Sequence, residues 1–339
     1  MSGAGVSAEV GLVAAALAGD DVAFRELTEP YRREIHVHCY RMLGSLHDAE
    51  DALQETLLRA WRHLGGYEPR GSFRAWLYRI ATNVCLTAAA SRTREETRVV
   101  HEVETSPGEA VRLTPYPDSL LDELPSDALE PGAVYDLDES VQLSFLAAAQ
   151  LLPPRQRAVL MLRDVLGFAA AEVAETLGTT TAGVNSALQR ARATLDQRRR
   201  DGRLSLVTRR PDGNLERTLV RRYMEAWHAV DIDGLVELLR ADAVMTMPPE
   251  PLLFRGRREI GHFLSTVPAG GALDQIPLLP ARANRQPAIG AYVRDPETGA
   301  YRAYGLMVLT LDRDAIAEIT GFVDPTLFPD FGLPAELEP

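Results

Sequence analysis

Lysine is missing from this sequence: its 36 basic residues are all arginine, set against 48 acids, for a net charge of −12 over 339 residues. Cysteine is nearly missing too. With Cys39 and Cys85 alone, a disulfide framework is excluded, and two reduced thiols in a cytoplasmic protein are expected. No apolar run is long enough to span a bilayer, so no membrane partner is expected. The N-terminus carries acids and no basic segment, which is not the pattern of a secretory signal. There is no internal repeat and no low-complexity tract. The length predicts two or three domains, and an apolar content of 46% lets each bury a core.

A net negative chain argues against nucleic acid until the charge is mapped. Residues 1–92 carry 10 Arg against 11 acids, residues 93–138 carry 3 against 12, residues 139–213 carry 11 against 7, and residues 214–339 carry 12 against 18. The acid is concentrated in one linker and in the C-terminal part, and the single net-basic segment is a candidate nucleic-acid binder.

Periodicity sets the organisation. Residues 8–92 read as helices, with apolar residues three and four apart. Residues 93–138 are acidic, contain prolines and have no sustained period, so they read as a linker. Within it, Tyr116, Leu120 and Leu121 are apolar residues in polar surroundings and look like an anchor for another surface. Residues 139–200 are helical again, residues 201–213 form a second linker, residues 214–328 mix one amphipathic helix with strand-like runs, and 329–339 is a tail. The segment DPETG (295–299) is a hairpin turn signal.

The strongest local signal is residues 168–195, which read as a helix-turn-helix. Ala174 is small enough for two helices to cross closely, and Gly178 supplies the turn. On the second helix Val184, Ala187, Leu188 and Ala191 share the inner face, while Thr181, Asn185, Gln189 and Arg192 lie opposite, with Ser186 and Arg190 at the edge. These polar side chains suit base edges and phosphates. Upstream, Pro153 and Pro154 open a helix whose first turn holds Arg155 and Arg157. Basic residues there oppose the helix dipole, which favours a reading as phosphate contacts; plain solvated charge is the alternative.

Residues 48–64 form an acidic helix. Its core stripe is Ala49, Leu53, Leu57, Ala60 and Leu64, and its polar face holds Leu58, an interface signal. A loop follows, and then a helix from Phe73 on which Arg74, Trp76, Tyr78, Arg79 and Asn83 mix cations, aromatics and an amide, a set suited to single-stranded DNA. His36, His38 and Cys39 lie close together but lack a second ligand pair, so packing is expected there, with no metal and no cofactor.

The order DAEDALQETLLRAW, SFRAWLYRIATNVCL, linker, LPPRQRAVLMLRDVLGF and helix-turn-helix resembles the extracytoplasmic-function sigma factors of the sigma-70 family over residues 10–200. The resemblance implies a promoter-selecting subunit of RNA polymerase, not an enzyme. Its partners would be the core enzyme and promoter DNA. It assigns core-polymerase binding to Asp48, Glu50, Asp51, Gln54, Glu55, Leu58 and Arg59. It assigns the −10 element to Tyr67, Arg70, Ser72, Phe73, Arg74, Trp76, Arg79 and Asn83, and the −35 element to Arg155, Thr181, Asn185, Ser186, Gln189, Arg190 and Arg192. The chain departs from the family pattern at Thr87, where an Asp is common, and in a recognition helix less basic than usual.

Residues 214–328 resemble the SnoaL-like branch of the NTF2-like fold, an α+β cone-shaped barrel with an interior pocket; the glycine-rich DGGGK-type motif of one sigma subgroup is absent. The fold class expected is therefore multidomain: two all-α domains, the second with the helix-turn-helix, plus this α+β domain. Candidate pocket residues are Trp227, His228, Met245, Met247, Asn284, Tyr292, Tyr304 and Asp324. The domain is expected to regulate the sigma factor, through a small-molecule ligand or by docking on the linker or the sigma domains. Two rival readings are a cyclase- or isomerase-like enzyme with a His228 or Asp324 base, and a ligand-responsive repressor. The repressor reading leaves the acidic helix unexplained.

Overall fold

A computed structural model of the chain describes residues 3–67, 72–99, 113–122, 140–200 and 211–338. Contacts divide the chain into two units. One comprises residues 1–104, 120–140 and 152–194; the other comprises 105–119, 141–151 and 195–339. The division cuts across the linear reading, because part of the linker and the first helix after it belong with the C-terminal domain.

The helical unit begins with α1 (Gly3–Leu17), α2 (Asp21–Leu43), α3 (Leu46–His63) and α4 (Phe73–Val99). Asp20 caps α2 by accepting from the N–H groups of Val22 (2.9 Å) and Ala23 (3.1 Å). Gly44 ends it at φ 77°, where its N–H reaches the Tyr40 carbonyl. From Glu34 to Leu43 every residue of α2 is buried, so this half is enclosed by neighbouring helices rather than amphipathic. Each fully buried apolar side chain there stabilises by about 1.5–3 kcal/mol. Cys39 of α2 and Cys85 of α4 are free and buried, and the neighbouring Cys85 thiol together with burial pushes the Cys39 thiol well up. His38 is bonded through Nε2 to the Thr82 hydroxyl (3.0 Å). Among the described residues no group of three His, Cys, Asp or Glu could hold a metal.

The unit continues with α7 (Pro154–Leu160), a π turn (Met161–Val165), α8 (Ala170–Leu177) and α9 (Thr181–Arg200). Between α4 and α7 in sequence, the described residues include α5 (Asp118–Leu121) and α6 (Leu143–Gln150).

In the second unit, α10 (Gly213–His228), α11 (Ile232–Glu237) and α12 (Gly256–Thr266) pack with one mixed sheet. The strands are β1 (Leu239–Met247), β2 (Glu250–Arg255), β3 (Leu278–Ala283), β4 (Gln286–Arg294), β5 (Tyr301–Asp312) and β6 (Ala315–Phe322), in the order β2-β1-β6-β5-β4-β3; β7 (Glu336–Leu337) pairs with β5. β1 and β6 are parallel and every other pairing is antiparallel. Register shifts at Thr246/Met247, Ala291/Tyr292 and Thr310/Leu311 bend the strands. One apolar cluster joins helices to sheet, with Tyr223 and Trp227 of α10, Met245 of β1, Ile260 of α12, Ile289 of β4 and Ile319 of β6 among its members. The DPETG turn joins β4 to β5: Asp295 accepts from the N–H groups of Glu297 and Thr298, and Gly299 takes φ 77°. No helix among the described residues is long and apolar enough to cross a membrane.

Candidate nucleic-acid interface

The acidic helix α3 is capped by Ser45, whose hydroxyl accepts from the Asp48 N–H (3.2 Å). It buries Ala49, Ala52, Leu53, Thr56 and Ala60; Leu57, expected in the stripe, is half-buried, and Thr56 is sealed by a 2.6 Å bond to the Ala52 carbonyl. Glu50, Asp51 and Gln54 are exposed, Asp48 half so, and Glu55 binds Arg59 at 2.6 Å. Leu58, 51% exposed, stands among them as an apolar residue on a polar face.

Arg70 lies outside the described residues. Of the other residues expected at the −10 element, four are engaged by contacts within the protein. Phe73 is fully buried, with ring centroids 5.4 Å from both Tyr67 and Trp76. Tyr67 donates to Glu9 (3.1 Å), and burial together with that carboxylate pushes its hydroxyl up to about 12. Ser72 caps α4 by accepting from the Ala75 N–H (3.1 Å). Arg74 is held by both carboxylate oxygens of buried Glu34 (2.9 and 3.0 Å) and lies 5.0 Å from the Tyr78 ring centroid. These four build the platform. Trp76 is half-buried, while Arg79 and Asn83 are exposed; Arg79 pairs with Glu175 of α8 (3.0 Å), and Asn83 donates to the Arg79 carbonyl (2.9 Å).

The helix-turn-helix is built as its residues dictate. Gly178 ends α8 at φ 59°, and Thr180 caps α9 by accepting from the Gly183 N–H (3.1 Å). Val173, Ala174 and Leu177 of α8 and Val184, Leu188, Ala191 and Leu195 of α9 are buried, which fixes the outward face. On that face Thr181, Asn185, Ser186, Gln189 and Arg190 are exposed, and among the described residues no side-chain hydrogen bond or ion pair holds them. Arg155 is exposed as well.

Two arginines depart from the sequence expectation. Arg192 is clamped in a bidentate pair with buried Asp164 of the π turn (2.7 and 2.8 Å). It ties the recognition helix to the body of the unit. Arg157 is buried, donating to the carbonyls of Met42 and Leu152. A buried guanidinium is tolerated when its donors are met, and carbonyls meet these.

In the second unit a further site takes shape at the β3–β4 turn. Asn284 has φ 57°, a conformation Asn tolerates better than most residues. Its side-chain oxygen accepts from the Tyr116 N–H (2.7 Å), its own N–H donates to the Tyr116 carbonyl (2.8 Å), and its amide nitrogen donates to the Val141 carbonyl (2.7 Å). Asp118 accepts from the Arg285 N–H (2.6 Å) and Arg282 Nε (3.0 Å), and Arg282 also reaches Glu216. Burial raises the Asp118 carboxyl above its ordinary range, against the opposing pull of those donors. Gln286 accepts from the Leu143 N–H (3.2 Å) and donates to the Thr310 hydroxyl (2.7 Å). Thus one hairpin turn grips the linker at Tyr116–Asp118 and, beyond it, the start of α6. Tyr116 is fully buried, as a linker anchor should be.

The pocket candidates do not converge. Trp227 and Met245 are buried in the apolar cluster and Met247 packs against it; Trp227 also donates to the Ile276 carbonyl (3.2 Å). Tyr292 stacks edge-on against Phe328 and donates to the Pro334 carbonyl (3.0 Å). His228 and Tyr304 are exposed, Asn284 belongs to the turn, and Asp324 caps the segment after β6 by accepting from Thr326. A buried acid of this unit that sequence reasoning missed is Glu318 on β6. It points away from the face of Ile319, beside Thr320 (3.5 Å), and burial raises it to about 7. Its only sequence signal is an acid inside an otherwise apolar strand.

A helical platform with an acidic flank, joined to a helix-turn-helix with a free polar face, defines a DNA-binding protein with a second protein partner. Comparisons agree: residues 27–95 match Sigma-70 region 2, residues 142–195 match Sigma-70, region 4, and residues 220–319 match the SnoaL-like domain. The chain is 43% identical over 322 residues to the ECF RNA polymerase sigma factor SigG of Mycobacterium tuberculosis, covering 93% of this chain and 85% of that one. It is 32% identical over 160 residues to SigW of Bacillus subtilis, covering 47% and 79%. The crystal structure of the Mycobacterium tuberculosis sigma factor SigJ shares the fold, with a TM-score of 0.59 at 23% identity, covering 89% of this chain and 97% of that one. The chain belongs to the extracytoplasmic-function sigma factors. Its function is that of the family, directing core RNA polymerase to promoters for transcription initiation.

Proposed function

We propose that the C-terminal domain regulates this sigma factor by gripping the interdomain linker and the start of region 4, and that it does so without catalysis. The observation that carries the reading is Asn284, whose three hydrogen bonds join Tyr116 and Val141 to one turn. An acidic linker can occupy a polymerase channel built for polyanionic nucleic acid, so a linker held at Tyr116–Asp118 is withheld from it. Neutral hydrogen bonds contribute about 1 kcal/mol each net. Three of them place the coupling in the range of about 1–3 kcal/mol, or about 5–150-fold in activity.

The residue roles are part of the proposal. The exposed face of α3, with Leu58 at its centre, meets the polymerase. Trp76, Arg79 and Asn83 meet the −10 strand, and Thr181, Asn185, Ser186, Gln189 and Arg190 read the −35 element, with Arg155 on a phosphate. Phe73, Arg74 and Arg192 position these groups from within. The protein works in the cytoplasm, where the polymerase is.

The test is in vitro transcription with bacterial core polymerase on a promoter library. It compares the full chain, residues 1–207, and Asn284→Gly, which keeps the turn's backbone and removes its side-chain bonds. Asn284→Gly is expected to move initiation in the same direction as truncation. An Asn284→Gly protein identical to wild type, beside a truncation that changes activity, rules the grip out as the regulator.

A further inference from the structure

Among the described residues β2 is an edge strand, paired with β1, and alongside it runs α12. Between them opens a groove of about 670 Å³, a size typical of small-ligand sites. Its floor is apolar: Leu252 and Phe254 come from β2, Phe263 and Val267 from the end of α12. Phe254 and Phe263 touch with ring centroids 4.8 Å apart and planes tilted by 44°. Leu252 is 44% exposed and Val267 59% exposed, so two large apolar side chains face solvent on one concave surface.

The rim carries the polar groups, and they differ in how they are used. Glu259 accepts from the Arg255 N–H (2.8 Å), and Thr266 donates to the His262 carbonyl (2.6 Å). Arg258 and His262 stand one helical turn apart, and among the described residues no hydrogen bond or ion pair engages either side chain. An apolar trough with two uncommitted nitrogen donors at one side is complementary to a molecule with an apolar body and one acid group.

We propose that this groove binds an amphiphilic organic acid, its chain on Leu252, Phe254, Phe263 and Val267 and its carboxylate between Arg258 and His262. The site is separate from the β3–β4 turn, and the proposal does not depend on that turn's role. The occupant is a small molecule because the recognition groups are side chains, Arg258 and His262 one turn apart on α12, set beside an apolar floor. An added peptide strand would instead be held along its length by the backbone of β2.

The experiment titrates cis-parinaric acid, a fluorescent long-chain carboxylate, into the full-length protein, with its methyl ester as the uncharged counterpart. Saturable binding of the acid is expected, weakened about tenfold by Arg258→Gln, which removes a charge-assisted bond, and abolished by Leu252→Asp. The ester is expected to bind more weakly and to ignore Arg258→Gln. Both substituted residues are exposed, and unchanged circular dichroism and initiation by the two variants show that they fold. Absence of saturable binding overturns the proposal. So does binding indifferent to both substitutions, or an ester that binds as well as the acid. The last result would mark the groove as a plain apolar surface for a protein partner.

Discussion

His36 and His38 are sealed inside the helical unit, while Glu318 is sealed inside the sheet of the other. Burial disfavours the charged form of each. For the histidines it lowers the pKa, to about 4 and about 3, helped by Arg33 and Arg32 near His36 and by Arg41 and Arg74 near His38. For Glu318 it raises the pKa to about 7. The same physical cause therefore gives the two units opposite responses to acid. The difference teaches that a chain of net charge −12 has no single electrostatic character: each unit answers to the few ionisable groups it hides.

The sign follows from linkage. A histidine with a depressed native pKa gives its full stability above 6.5 and loses it as the pH falls toward the native value. A carboxyl with a raised native pKa gives its full stability below about 4.5 and loses it as the pH rises through 7. From pH 8 to pH 5 the helical unit should lose about 2 kcal/mol for each histidine, about 4 kcal/mol together, while the sheet unit gains about 2–3 kcal/mol. Urea titrations read this by tryptophan fluorescence. Trp61 and Trp76 report the helical unit in a Trp227→Phe protein, and Trp227 reports the other when both helical tryptophans are replaced by Phe. The expected result is midpoints that move in opposite directions, with the sheet unit's shift gone in Glu318→Gln. Midpoints that move together would break the comparison and mean that the two units unfold as one.

A smaller effect separates arginines that build from arginines that read. With no lysine available, arginine does both. Arg192→Ala leaves the buried Asp164 carboxylate without its bidentate partner. It should cost about 2 kcal/mol, discounted from the 3–5 kcal/mol of a fully buried pair because Arg192 is half exposed. Arg190→Ala, two residues away on the exposed face, should leave the unfolding midpoint within about 0.5 kcal/mol and weaken binding to the −35 element. Thermal unfolding and promoter-binding titrations of the two variants check this. A stable Arg192→Ala protein with lost promoter binding would return Arg192 to the DNA face.

Much of the helical architecture was legible, because α3, α8 and α9 carry their apolar residues at helical spacing and mark their ends with Ser45, Gly178 and Thr180. Which polar residue on a face is free was not. Asn185 and Arg192 share one face of α9, and only the tertiary position of Asp164, 28 residues earlier in sequence, distinguishes them. Arg74 likewise looked like a nucleic-acid contact until Glu34 came to meet it across 40 residues. The anchor role of Tyr116 was legible from an aromatic in a polar linker, but its receptor was not. Asn284 was expected in a pocket, yet it sits in the left-handed conformation at a hairpin turn. Of the strand-borne candidates, Met245, Met247, Tyr292 and Tyr304 take different surroundings because strand register and bulges decide which side of the sheet a residue takes, and a shift of one residue reverses it.

The smallest effect sharpens the comparison from inside the sheet unit's apolar cluster. Tyr223 of α10 is fully buried among apolar residues, and its hydroxyl has no hydrogen-bond partner among the described residues. Burial pushes that hydroxyl far above its ordinary range, as expected where nothing stabilises a charge. A buried hydroxyl without a partner forfeits the hydrogen bonds it makes to water when the chain is unfolded, and that loss works against folding. Tyr223→Phe keeps the ring and its packing near Trp227 (centroids 6.1 Å) and removes only the oxygen. It should therefore raise the stability of the sheet unit by about 1 kcal/mol. Tyr78 in the helical unit is the counterpart, fully buried but donating to Glu34 (3.3 Å), so Tyr78→Phe should destabilise by a similar amount. Urea midpoints for the two variants, read in their own units, should move in opposite directions. Loss of stability in Tyr223→Phe would mean that its hydroxyl is satisfied after all and that the two tyrosines are alike.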